Sequence, residues 1–373
     1  MCYVRYDSFL SRKFKSIGVQ KKAALVTEDS EGLIEAFESI GARDFLASFR
    51  ERGEEILERE EENLYDLREQ LGISSTVSSE DLEPMDVVDK ELFGQFMRLE
   101  LAMEQLDSAI DFAEGVKCYM TPAGNFKELP NPIDHDFLEV TADDIFVALC
   151  QGPTVGVSNI AHHYSNFYSN IHKILTFVCA ENSYKIVPPR GEKFGILDDL
   201  KAYLPTQAKS VEIDTRPEDR IKEFHDVHSV LVDVPSFNDR HSVSMNNREN
   251  IFFKGNDEIR DSLGEEQGAR LERALRSCCV DGAVTYTTQT MNHVQNELLV
   301  QSTVRRLLES EGILVRSAPL NLIAEAISGD IQCYDASRLG QLVIPDLGAN
   351  FGPRYVCKLI VKRETDTFLK QYE

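Results

Sequence analysis

The chain has 373 residues, 42% of them hydrophobic and 28% charged, with 63 acids against 40 bases and a formal net charge of −23. That length supports one large core, and no run of eighteen apolar residues is present to cross a membrane, nor does an apolar secretory stretch follow the first methionine. The sign of the charge speaks against an unaided grip on a phosphate backbone, which draws on a basic face.

Residues 1–27 hold Arg5, Arg12, Lys13, Lys15, Lys21 and Lys22 against Asp7, with Phe9, Leu10, Phe14 and Ile17 interleaved. Organelle import segments share this pattern with basic loops and helices of folded domains. Over 31–71, Leu33, Ile34, Phe37, Phe45, Leu46, Phe49, Ile56 and Leu57 recur at helical spacing and predict one or two helices. Within them, 51–66 sets eight acids against two arginines, either a solvated helix face or a surface for a basic partner. Residues 73–84 form a polar linker. A second helical stripe, Leu92, Phe96, Leu99, Met103, Leu106 and Ile110, predicts a helix from 89 to about 114, of the kind that packs in a core or against a partner helix. Three units follow: a basic segment over 1–27, a helical extension over 28–115 and a main domain over 116–373.

In the main domain the pattern alternates between strand and helix. Candidate strands lie at 145–150, 174–180, 210–214, 229–234, 283–288, near 314 and at 355–361, and strands separated by helical segments imply a parallel, doubly wound α/β sheet. The eight cysteines have no CxxC spacing or metal-ligand clustering, so they read as reduced thiols, and the adjacent Cys278 and Cys279 as core filler.

The most telling segment is 229–240, SVLVDVPSFNDR. An apolar strand, Val230 to Val232, leaves the sheet at Asp233-Val234-Pro235, and ligands of open α/β sheets bind outside such strand ends. A second strand, AVTYTT at 283–288, runs into Gln289-Thr290-Met291-Asn292-His293-Val294-Gln295-Asn296-Glu297, so the two ends should meet in one crevice. These segments resemble the Sun-domain family of RNA cytosine-C5 methyltransferases, whose patterns here are DVPC, followed in one branch by DRHS, and STCS…QNE. Asp233, Val234, Pro235, Asp239, Arg240, His241, Ser242, Tyr286, Thr288, His293, Gln295, Asn296 and Glu297 carry the match. The stretch GQLVIPDLGANFGPRYVCK at 340–358, and more weakly KKAALV…FESIGARDFL at 21–46, is similar to the branch that acts on the mitochondrial ribosome. The resemblance implies a Rossmann-like class I methyltransferase fold: a seven-stranded, mostly parallel sheet with its last strand antiparallel, helices on both faces and an N-terminal helical extension.

The two cysteines of the pattern are missing. Carbon 5 of cytosine is a poor nucleophile, and methylating it requires a transient covalent adduct, for which a thiolate is suited. The resemblance implies an attacking cysteine after the second of these strands and a product-releasing one in DVPC; this chain has Gln289 and Ser236 there. An amide has no nucleophilic form at neutral pH, and an unactivated hydroxyl replaces a thiolate poorly. Asp233 is retained, where the family's acid contacts the base and lies beside the methyl donor; capping the turn before Pro235 is its alternative role. Arg240 orders its loop or contacts a base or phosphate.

The donor site reads as degenerate too. The family's D-x-C-A-A-P-G-G-K loop is matched by 148–156, where Ala148 replaces the acid, Thr154-Val155 the glycine pair and Gly156 the lysine; Cys150 and Pro153 survive, with Gly152 shifted. A β-branched Val155 resists the close approach and positive φ that glycine allows. Glu181 keeps an acid after the expected second strand, and Asp219 fits a donor contact only with a one-residue shift. Val280-Asp281-Gly282 stands where the family has Pro-Gly-Gly.

The resemblance thus implies a catalytically inactive rRNA methyltransferase homologue, with no intact catalytic residue, no metal and vestigial donor contacts at Cys150, Gly152, Pro153, Glu181, Asp219 and Asp233. It implies a structural or assembly role on a mitoribosomal subunit precursor in the mitochondrial matrix, beside a helical-repeat protein of the mitochondrial termination-factor type, with no membrane. The alternative is an active, divergent enzyme that uses S-adenosylmethionine and another nucleophile. A third reading is a free regulatory pseudoenzyme that binds a metabolite in the altered pocket.

Overall fold

The structure is a computed structural model that describes residues 23–27, 31–73, 89–114, 116–120, 137–152, 160–164, 174, 183–187, 210–213, 227–236, 257–334, 339–345 and 352–363. The periodicity over 31–71 resolves into two helices. α1 (Glu31–Ser39) stops before Gly41, whose φ of +77° a side chain would resist, and α2 (Phe45–Leu71) starts three residues after Ala42 turns back. Asp44 caps α2, its carboxylate accepting the Leu46 N–H at 3.1 Å and the Cys118 N–H at 3.1 Å. Gly72, with φ +68°, ends α2 where the linker was expected. α3 (Lys90–Ala113) is capped by Asp89, which accepts from Glu91 and Leu92 at 3.1 and 3.0 Å. Its bounds fall within a residue of the expected ones.

Around these helices lies a small antiparallel sheet, β1 (Ala23–Thr27), β2 (Arg43–Asp44), β3 (Val116–Met120) and β4 (Phe137–Val140), in the order β2-β3-β1-β4. β3 and β4, which follow the boundary expected at 115/116, pair with β1, which precedes it, Leu25 standing opposite both Cys118 and Leu138. The sequence shows that 116–120 is strand-like but not which strand it pairs with.

A helix follows, α4 (Ala142–Gln151), where a strand was expected at 145–150. All ten of its residues are buried, and an apolar run with no exposed face does not reveal its period. Asp143 and Asp144 in its first turn suit a helix N-terminus. Of the strand expected at 174–180, Ile174 is helical and the other residues lie outside those described.

The large sheet is built from β5 (Ile160–Tyr164), β6 (Ser183–Val187), β7 (Ser210–Ile213), β8 (Val227–Asp233), β9 (Cys278–Thr288), β10 (Ile313–Ala318), β11 (Cys333–Tyr334), β12 (Gln341–Val343) and β13 (Arg354–Arg363). Seven of these run in the order β7-β6-β5-β8-β9-β13-β10. β5 to β9 are joined by parallel ladders, whereas β13 is antiparallel to both β9 and β10. This is the doubly wound, Rossmann-like sheet with a reversed last strand that the sequence leads one to expect. The hairpin β11–β12 adds two strands at the start of β13.

Helices cover both faces. On one, α5 (Asp257–Ser277) and α6 (Glu297–Glu311) set Leu271, Leu275, Leu299, Val300 and Leu307 against Val230, Val232, Val284 and Tyr286 of the sheet. On the other, α4, α3 and the short α7 (Asn321–Ala326) join α2 in one core that reaches Leu231 and Val356. α2 is tied to α7 by Arg59 on Glu325 at 2.8 Å, and Arg52 of α2 and Arg43 of β2 hold Asp330 in the turn after α7 at 3.4 and 2.6 Å. Gly53 lets α2 approach α3, because a Cβ there would come within 2.8 Å of Ile110 Cδ1. Among the described residues no helix is long and apolar enough to cross a membrane.

Candidate functional site

The parallel ladder between β8 and β9 brings the two expected strand ends together. Asp233 stands opposite Thr287, and the Val234 N–H donates to the Thr287 carbonyl at 3.3 Å before Pro235, lacking an N–H, ends the pairing. One residue on, the half-buried Ser236 accepts the backbone N–H of Gln289 on its Oγ at 2.8 Å. The two positions where the resemblance expects cysteines are therefore neighbours, and neither carries sulfur.

The motif residues beyond β9 support this turn through hydrogen bonds. Tyr286 donates its hydroxyl to the Gln295 carbonyl at 2.8 Å, and Thr288 donates to Asn296 Oδ1 at 2.6 Å. Asn296 Nδ2 donates to the Thr290 carbonyl at 2.9 Å. From α5, Gln267 Nε2 reaches both the Pro235 carbonyl at 2.7 Å and Gln295 Oε1 at 3.1 Å. Gln267, Thr288 and Thr290 are fully buried. The network is the kind that fixes loop shape, because each buried polar group left without a partner would cost about 1–3 kcal/mol. His293 is exposed and takes its place through backbone bonds alone among those described.

Asp233 is engaged from the other side. Arg354, the first residue of β13, is 1% exposed and places Nη1 3.6 Å from Asp233, Nε 3.4 Å from Asp143 and Nη2 in an ion pair with Asp144. Burial works against its charge, but Asp144, Asp143 and Asp233 together outweigh that and raise its pKa above the ordinary value. Below it on the same face, Lys358 donates to the carbonyl of Gln151 at 3.1 Å, and Gln151 in turn donates to Ser229. Burial pulls the Lys358 ammonium down to about 8, with Cys150 and Glu104 opposing.

This geometry corrects the expected donor site. The first parallel strand of the large sheet is β5, whose last residue, Tyr164, stands opposite Asp233. The loop after it lies outside the described residues, so 148–156 does not follow a strand. Cys150 is in α4, and burial pushes its thiol well up. Gly152 caps that helix, its N–H on the Ala148 carbonyl at 3.0 Å and its φ at +77°, and a Cβ there would meet Ser108 Oγ at 2.7 Å. Glu181 precedes β6 instead of following the second strand. Its side chain, like Pro153, Asp219, Arg240 and the rest of the 237–242 motif, lies outside the described residues. The Val280-Asp281-Gly282 match sits inside β9, where Asp281 has φ +63° and the register with β8 slips between Val227 and Ser229. Gly282 is required there, as a Cβ would lie 2.6 Å from Cys278 Sγ and 3.0 Å from the His228 carbonyl.

Arg354, Asp143 and Asp144 were missed by sequence reading. Two adjacent acids opening an apolar run and an arginine starting a strand 210 residues later carry no local signal that they meet.

Sheet order and the reversed last strand define a Rossmann-like class I methyltransferase fold, with Asp233 at the end of β8. No protein-family model matches the chain. It is 32% identical over 230 residues to a 5-cytosine rRNA methyltransferase of Caenorhabditis elegans, covering 60% of this chain and 46% of that protein. It is 36% identical over 131 residues to the 5-cytosine rRNA methyltransferase NSUN4 of Xenopus laevis, covering 35% of this chain and 32% of that one. The chain thus spans less than half the length of these relatives. A solved methyltransferase homologue from Pyrococcus horikoshii aligns over 80% of this chain and 99% of its own with 13% identity, at a TM-score of 0.44 that adds nothing to the strand order itself. Through the motifs at 229–236 and 283–297 and these relatives, the chain is similar to RNA cytosine-C5 methyltransferases.

Proposed function

We propose that this chain is a member of the rRNA cytosine-C5 methyltransferase family that no longer transfers methyl groups and serves as a structural or assembly factor of the mitochondrial ribosome. One observation carries the reading: Ser236 and Gln289 meet through a hydrogen bond at the place where the family keeps its two thiols. A covalent adduct to the pyrimidine needs a strong nucleophile, and no other group in the described part of the cleft offers one. S-adenosylmethionine, the donor the family implies, carries a positive sulfonium centre, whereas the guanidinium of Arg354 already stands beside Asp233. The described residues therefore do not suit that donor, and no step is assigned to it.

The partners follow from charge and resemblance. The acidic face of α2 exposes Glu51, Glu54, Glu55, Glu58, Glu61 and Glu62, which suits docking on a basic protein better than on RNA. A helical-repeat protein of the mitochondrial termination-factor type is the partner we assign, with a mitoribosomal precursor in the matrix as the assembly. Labelled methyl transfer from S-adenosylmethionine to an rRNA transcript tests the central reading. The wild-type chain is expected to give none, and a signal that is lost on denaturation overturns it. Calorimetry with the donor is expected to be silent. Affinity capture from mitochondria is expected to return ribosomal proteins together with the helical-repeat partner.

A further inference from the structure

The buried cluster at the strand ends has an unusual balance: three carboxyl groups face one guanidinium. They come from separate elements, Asp143 and Asp144 from the first turn of α4 and Asp233 from the end of β8, while Arg354 enters from β13. Nη2 hydrogen-bonds to Asp144, while Nε and Nη1 lie at ion-pair distance, 3.4 and 3.6 Å, from Asp143 and Asp233, so one planar cation spans three acids. Acceptors remain unused in the same layer. Asp143 Oδ1 and the hydroxyl of Thr287, which stands beside Asp233 in register, are buried and have no hydrogen-bond partner among the described residues. A buried charge held this way is tolerated only when it is paired, so the pocket selects a cation.

We propose that Arg354 is an internal ligand, its guanidinium occupying the contact with Asp233 that an external group would otherwise take, and that without it the pocket of Asp143, Asp144 and Asp233 binds a small alkylguanidinium. This deepens the reading above, and rests on it only in placing Asp233 in the ligand cleft. The cleft is closed by the chain itself, from the strand that is reversed in the sheet.

The test uses the full chain. Arg354→Ala removes the atoms of N-ethylguanidinium and leaves a cavity of that shape, which a matching ligand can fill and so stabilise the fold. The variant is expected to lose roughly 5 °C or more in Tm. N-ethylguanidinium at millimolar concentration is expected to restore at least half of that loss saturably, while ethylammonium and ethylurea do not. Adding Asp144→Asn is expected to raise the concentration needed at least about tenfold. If Arg354→Ala is recovered unfolded, refolding in the presence of N-ethylguanidinium is the readout, and recovery of folded chain supports the proposal. No saturable rescue, equal rescue by ethylurea, or an Arg354→Met variant as stable as wild type overturns it. Methyl transfer by the wild-type chain would overturn the reading of the preceding subsection and leave the rescue result standing, so the two fail separately.

Discussion

The two faces of the large sheet are built from the same three central strands, yet they differ in chemistry. Toward α5 and α6 point Val230, Val232, Val284, Tyr286, Tyr355, Cys357 and Leu359, all buried and almost wholly apolar. Toward α4 point Ser229, Asp233, Thr285, Thr287, Arg354 and Lys358, equally buried and polar, with Leu231 and Val356 as the apolar residues among them. Side chains alternate along each strand, so every residue on one face is interleaved with one on the other. The apolar face supplies stability by removing hydrocarbon from water. The polar face supplies none that an apolar replacement could not match, since desolvating charges cancels much of what their pairing returns. A polar layer retained at that cost, at the end of the sheet where ligands of this fold bind, is the imprint of a site.

The sharpest way to break this comparison is to exchange chemistry across one peptide bond. Val232→Asp puts a carboxylate into the apolar face with no cation to meet it, and should cost about 4 kcal/mol or more, enough to unfold a chain of ordinary stability. Loss of the cooperative thermal transition checks it. Asp233→Val, one residue on, removes an acid from a layer that has three for one guanidinium and should leave the chain folded. If both variants behave alike, the faces are not distinct.

This contrast also explains what the sequence made legible. Val230 to Val232 and the AVTYTT run announce strands because their apolar face recurs with the right period, and β8, β9 and β13 fall where expected. The end of α2 near 71 and the extent of α3 were readable from apolar stripes at helical spacing, a local pattern. α4 was misread because burial on all sides erases its period, and that error carried Cys150 and Gly152 into a donor loop they do not form. The Arg354 cluster was invisible for another reason: Asp143, Asp233 and Arg354 are separated along the chain by up to 211 positions and look, one at a time, like surface charges. The meeting of Ser236 with Gln289 was foreseen because a motif resemblance, not periodicity, joined the two strand ends.

A second test sharpens the polar face by pH. Lys358 titrates near 8 in the folded chain against an ordinary 10.5, because burial disfavours its charged form. Below pH 8 it is charged in both states, and the folded state bears the full penalty. Between about 8 and 10.5 the unfolded chain binds more protons than the folded one, so this group's contribution to stability rises with pH. The span corresponds to about 3 kcal/mol. Lys358→Met removes the penalty but leaves the Gln151 carbonyl without its donor, a loss of about 1–2 kcal/mol. The variant should therefore be more stable than wild type by about 1–2 kcal/mol at pH 7, with the advantage vanishing between about pH 9 and 10 and turning into a deficit of about 1 kcal/mol by pH 10.5. Urea unfolding of both proteins across that range gives the difference directly and cancels the opposite contribution of buried thiols and phenols. A constant difference would mean that the ammonium is not the group titrating.

The smallest expected effect lies where the two faces meet the cleft. Tyr286 belongs to the apolar face by its ring and to the site by its hydroxyl, which donates to the Gln295 carbonyl and so holds the segment whose Gln295 side chain meets Gln267, itself bonded to the Pro235 carbonyl. Burial pushes its phenol well above the ordinary range, so it stays a donor at any workable pH. Tyr286→Phe keeps the packing against Tyr355, 6.4 Å away ring to ring, and deletes one hydrogen bond. The loss should be about 1 kcal/mol in urea. Hydrogen exchange should localise it, with the Gln289 amide losing protection as the Ser236 contact loosens while the β8 amides keep theirs. If protection at Gln289 is unchanged, the network beyond β9 does not hold the turn, and the Ser236 contact stands on the parallel ladder alone.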